Sequence, residues 1–121
     1  MEEIRLGLIK LANVLIDICF TEKTYEKKQK YKEFKLILVE KEYSSRLGCY
    51  NMKTKVIQLS GMNAYCRHDI IITFLHELSH HIEMMDLGNT GHQKTFYDIH
   101  IKLLKSAVNL GLLKIEDITD N

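Results

Sequence analysis

The sequence predicts an α+β domain, and two features of the chain carry that prediction. Apolar residues recur at spacings of four, three, four and three in two separate stretches: Ile4, Leu8, Leu11, Leu15 and Ile18, then Ile71, Leu75, Leu78, Ile82 and Met85. Between these stretches lie three short runs rich in strand-forming residues. The first spacing is that of one apolar helix face, and short apolar runs bounded by turn residues mark strands.

Taken in order, the first helix ends near Phe20. The segment TEKTYEKKQKYKE that follows has no apolar periodicity and reads as a charged connector. FKLILV (Phe34–Val39) is the first strand. A second runs from about Ser44 to Tyr50 and a third over Val56–Ser60, with NMKT between them as a turn. The expected sheet is therefore small, three-stranded and antiparallel. From about Asp69 the period becomes helical again, ending near Asp86–Gly88, where DLGNTG supplies loop residues. A last helix begins at Thr90, a good N-cap, and runs to about Asn109. Phe96, Ile99, Leu103 and Ala107 form its inner face, and Gly111 follows its end.

The chain has 121 residues, no proline, no repeat and no linker-like segment, so residues 1–121 read as one domain with one core. The net charge of +1, from 17 basic and 16 acidic residues, excludes a partner chosen by global charge. Cys19, Cys49 and Cys66 are odd in number and widely spaced, which argues against a disulfide framework or a cysteine zinc ribbon. The start, MEEIRLGLIK, is acidic, and Leu11–Phe20 is interrupted by Asn13 and Asp17. Neither a signal peptide nor a membrane span fits, and the expected location is cytoplasmic.

The chemistry lies in FLHELSHHIE, which contains H-E-x-x-H at residues 76 to 80. Helical positions four apart share a face, about 6 Å along the axis. His76 and His80 can therefore turn imidazole nitrogens to one metal ion. Both sit beside the apolar stripe, so the helix can pack one face on the core and offer the adjoining face to a cleft. Glu77 is the next residue round and can take a proton from a water on the metal. Neutral imidazoles bind zinc at about 2.0–2.1 Å, and a catalytic site keeps three protein ligands with the fourth position open. By chance, a chain of this composition contains the motif about 0.02 times, which favours metal chemistry over a helix that is merely histidine-rich.

The third ligand must come from elsewhere. His92, in NTGHQKTF at the start of the last helix, is the best candidate, since the loop can fold that helix back with Phe96 as its anchor. Three rivals stand beside it. Glu83 is three residues past His80 on the same face, His100 is two turns past His92, and His81 points about 100° away round the helix from His80. His68 reads as a capping or packing residue.

HELSH (His76 to His80) followed by GHQKTF (Gly91 to Phe96) resembles the SprT-like zinc metallopeptidases, which share H-E-x-x-H and a later G-H-x-x-x-F. The hairpin from RLGCY (Arg46 to Tyr50) through IQL (Ile57 to Leu59) is similar to that family's segment before the metal helix. The likeness covers residues 34 to 110. It implies a minimal metallopeptidase fold, one Zn2+ per chain held by His76, His80 and His92, and Glu77 as catalyst. The implied activity is peptide-bond hydrolysis through a Glu-activated water on the metal, with a protein or peptide substrate. Members of the family are linked to cleavage of DNA-trapped proteins and often carry a C-terminal cysteine zinc ribbon. No such ribbon is among these residues, so a bare catalytic domain is expected.

Weaker features complete the reading. In the Lys23–Lys35 region, five lysines between Lys23 and Lys32 face one acid, Glu26, with Tyr25, Tyr31 and Phe34 interleaved. That composition suits single-stranded nucleic acid, DNA included, or else a solvated connector. Tyr50, Tyr97 and His100 are candidate oxyanion donors. Asp86 and Asp98 are candidates to orient a ligand histidine, or else ordinary surface acids. The alternative to an enzyme is a non-catalytic module, binding nucleic acid or a partner around structural zinc. Glu77 argues against it, because a closed site has no use for that residue.

Overall fold

The computed structural model describes residues 1–41, 47–63 and 65–119. The elements are, in order, helices α1 (Glu2–Cys19) and α2 (Tyr25–Lys32), strands β1 (Lys35–Leu38), β2 (Gly48–Asn51) and β3 (Val56–Leu59), then helices α3 (Arg67–Leu87), α4 (Lys94–Asn109) and α5 (Ile115–Thr119). The α+β class stands. The expected antiparallel sheet does not: the strand order is β1-β3-β2, with β2 antiparallel to β3 but β1 parallel to it. Successive strands still alternate in direction. β1 and β3 therefore run the same way, and because β3 inserts between its predecessors instead of adding at the edge, the two pair in parallel. Side-chain alternation fixes which face a residue occupies and says nothing about strand order.

The β2–β3 turn is built by Asn51, whose side-chain oxygen accepts from the backbone N–H of Lys53 at 2.9 Å and of Thr54 at 3.2 Å. Of the expected second strand, Ser44–Arg46 lie outside the described residues, and the strand begins at Gly48.

The segment read as a connector is a helix. Thr24 caps α2, its hydroxyl accepting from the Lys27 N–H at 3.2 Å. A single aromatic docks it. Tyr31 is fully buried, packs edge-on against Phe20 at 5.3 Å and donates its hydroxyl hydrogen to Asp86 at 2.5 Å. Lys27 reaches the same Asp86 oxygen at 3.3 Å. The helix was invisible to periodicity because it is polar on every face but this one.

In α1 the buried face is Leu8, Ala12, Leu15, Ile16 and Cys19, while Ile4 and Ile18 of the expected stripe are exposed. Small Ala12 and Cys19 let neighbouring elements approach, which turns the helix toward them. In α3, Ile71, Leu75, Leu78 and Ile82 of the expected stripe are buried, with Phe74 added, while Met85 is half-buried. Each such side chain contributes about 1.5–3 kcal/mol of burial, enough to hold α3 in one rotational setting. Gly88 ends it in the left-handed conformation, φ 76°, that glycine adopts without strain. No helix among the described residues is long and apolar enough to cross a membrane.

Candidate metal centre

His76 and His80 lie one turn apart on α3, on a half-buried face, and His92 stands in the α3–α4 loop just before α4. The helix starts later than expected, with Gln93 as N-cap and not Thr90. Nε2 of His92 lies 3.1 Å from Nε2 of His80 and 3.3 Å from Nε2 of His76. Ligand atoms of all three lie within 4.8 Å of one another. Two nitrogens bound tetrahedrally at zinc's usual distance are about 3.3 Å apart, so this spacing fits a shared ion. Hydrogen bonding alone fits less well, because one neutral imidazole nitrogen has either a hydrogen or a lone pair to offer its two neighbours.

Phe96 sets the three rings. It is fully buried beneath them, with ring centroids 4.4 Å from His80, 4.9 Å from His76 and 5.0 Å from His92. It was expected as an anchor of α4 in the core, and its cover is imidazole. Burial also favours the neutral form of His76 and His80. It lowers the pKa of His80 to about 4, helped by His76 and His92, and lowers that of His76, helped by His92. Neutral rings offer the lone pairs a metal needs.

Glu77 is buried and lines the same cleft, of about 390 Å³, with the three histidines, Thr90 and the β2 residues Gly48, Cys49 and Tyr50. A second cavity of about 730 Å³ opens on the other side of His76, between Tyr97, His100 and α5. His76 thus stands between two open spaces.

The rivals for third ligand fall elsewhere. Glu83 is buried and accepts from Thr90 at 2.9 Å and from the Gly91 N–H at 3.0 Å. His81 is fully buried on another face, between Tyr50 and the carbonyl of Lys30. His100 packs its ring 5.3 Å from His76 and lies outside the three-histidine group. His68 pairs with Asp117 at 3.3 Å, in keeping with a packing role.

Of the oxyanion candidates, Tyr50 has committed its hydrogen. Nε2 of His81 lies 3.1 Å from a carbonyl, which can only accept, so Nδ1 of the neutral ring accepts from Tyr50 at 2.7 Å. Tyr97 is exposed, and Nε2 of His100 is buried without a hydrogen-bond partner among the described residues. Asp86 and Asp98 are engaged with other partners, Tyr31 and Lys27 for the first and Lys94 for the second. Sequence reasoning missed Thr90, whose hydroxyl lies 2.8 Å from Nδ1 of His80. A hydroxyl two residues before His92 is the available signal, and the N-cap reading of Thr90 masks it.

In the Lys23–Lys35 region, Tyr31 is buried, Lys27 pairs with Asp86, and Lys32 pairs with Asp17 at 2.9 Å. Tyr25 remains exposed. Comparison of the chain with protein families, curated proteins and solved structures finds no match.

Proposed function

We propose that this chain is a zinc-dependent endopeptidase, with one ion per chain held by His76, His80 and His92 and with Glu77 as general base. One observation carries the reading: three imidazole nitrogens from a helix and a loop converge at 3.1 and 3.3 Å on the wall of a cleft that also holds a buried glutamate. A closed structural site would add a fourth protein ligand. Among the described residues the group numbers three.

Zinc, when bound, supplies a Lewis acid that polarises a carbonyl and acidifies water. The chain's own residues do the rest. Glu77 accepts the proton of the attacking water and passes it to the departing amine. Gly48 leaves room for it: a methyl group added at Gly48 would lie 3.2 Å from Cγ of Glu77. Among the described residues β2 pairs only with β3 and lines the cleft, so its other edge offers backbone groups to an extended peptide. That edge supports a protein or peptide substrate.

Zinc content and hydrolysis of a denatured protein test the proposal together. The expected result is one zinc per chain, lost in His76→Ala, His80→Ala or His92→Ala. Glu77→Gln should keep the zinc and lose at least about 10²-fold in rate. Full activity in Glu77→Gln, or full zinc in His92→Ala, would overturn it.

A further inference from the structure

We infer that Glu83 and Thr90 form a positioning relay in which one carboxylate oxygen sets both the tautomer of His80 and the course of the loop that delivers His92. The inference rests on the metal-site reading and adds to it two residues that touch no ion.

The argument starts from hydrogen counting. Oε1 of Glu83 lies 2.9 Å from the Thr90 hydroxyl and 3.0 Å from the Gly91 nitrogen. A carboxylate only accepts, so both neighbours donate to it. Thr90 has one hydroxyl hydrogen, and Glu83 takes it. The hydroxyl oxygen then meets Nδ1 of His80, at 2.8 Å, with a lone pair. Nδ1 must carry the hydrogen. A neutral imidazole has one, so Nε2 of His80 is left as a lone pair facing Nε2 of His92. The reverse orientation would set two acceptors against each other at 2.9 Å. It would also place a hydrogen where a metal ligand needs electrons.

The second arm acts on the backbone. Gly91 immediately precedes His92, and its N–H is held by the same Oε1 that fixes Thr90. Glu83 stands three residues past His80 on α3, on the same helical side, and is buried. Its oxygen therefore ties two of the three histidines, one through a hydroxyl and one through a peptide group, to a single rigid point. Carboxylates that orient metal-binding histidines act in this way, here with a threonine interposed, and their loss costs about 10–100-fold in metal affinity.

Two measurements test it. In the metal-free protein, nitrogen NMR of the histidine rings reports which nitrogen of His80 carries the hydrogen. Nδ1 is expected in the wild type and in Thr90→Ser, and Thr90→Val should lose that preference. Zinc affinity, by chelator competition, should fall about 10–100-fold in Thr90→Val and recover in Thr90→Ser. A wild-type His80 protonated on Nε2, or a Thr90→Val affinity within twofold of wild type, overturns the relay. Zinc uptake that is abolished in His76→Ala keeps the metal reading standing whatever the Thr90 variants do. If the wild type takes up no zinc, that reading ends, while the tautomer still decides the relay, also where Thr90→Val fails to fold.

Discussion

Tyr50 donates its hydroxyl hydrogen to Nδ1 of His81 at 2.7 Å, tying the edge strand β2 to the helix that carries the histidine motif. Since that hydrogen is in use, Tyr50 is expected to brace the cleft wall and not to serve a developing oxyanion. Tyr50→Phe is expected to lower stability by about 1–3 kcal/mol, because it leaves a buried ring nitrogen unsatisfied. Turnover should change less than tenfold, where loss of an oxyanion donor costs about 10²–10³. Urea unfolding beside steady-state kinetics separates the two, and a hundredfold fall in kcat at unchanged stability would return Tyr50 to the chemistry.

Gly48 brings the backbone of β2 close to Glu77. An added Cβ would meet Thr73 Cγ2 at 2.9 Å, Leu59 Cδ2 at 3.0 Å and Glu77 Cγ at 3.2 Å. Gly48→Ala should therefore push the strand or Glu77 aside, lowering kcat at least about tenfold while the three histidines keep their zinc. Unchanged kcat in a folded, zinc-loaded Gly48→Ala protein would show that Glu77 is not held by this contact.

Acid should destabilise the metal-free protein early. Burial lowers His81 and His100 to about 4 from 6.5, and His80 likewise. The unfolded chain takes up protons below pH 6.5 that the folded chain refuses down to about 4. Stability is thus fully present above pH 6.5 and is lost as pH falls toward 4. His81, wholly buried, accounts for about 3 kcal/mol of that loss. A flat urea midpoint from pH 7 to pH 4.5 would contradict the burial of these rings.

Metal removal should be visible in the melting temperature. Zinc at 100 times its Kd adds about 2.7 kcal/mol to the folded state. At about 4 °C per kcal/mol for a domain of this size, that raises Tm by about 10 °C. The same zinc should leave His76→Ala unmoved, and an equal rise in that variant would place the ion elsewhere.

How much of this was legible beforehand follows from what each element's sequence encodes. The inner face of α4, Phe96, Ile99, Leu103 and Ala107, is buried as expected, because burial demands the periodicity that made it readable. The same holds for α3. In α1 the signal misled, since a stripe drawn through the large aliphatic residues passes over the small Ala12 and Cys19, which are buried. α2 escaped notice because one tyrosine and one threonine cap secure it. Sheet order was illegible for a different reason: pairing between β1 and β3 is settled by connections and packing, not by alternation. Within the site, His76, His80 and His92 come together as the spacing suggested. The relay through Thr90 did not show, because a hydroxyl's partner depends on a fold-back that no local pattern records.

The αL turn at Gly88 and the few residues after it fix a distance, and that distance is a fingerprint. Eleven residues separate His80 from His92. One more or one fewer would carry the third imidazole off its mark while leaving both helices intact. Kin too diverged to align should betray themselves by cadence: H-E-x-x-H, an acid three places on, then T-G-H after six more residues. Insertions in such chains ought to crowd the hairpin and the helix ends, sparing this short bridge.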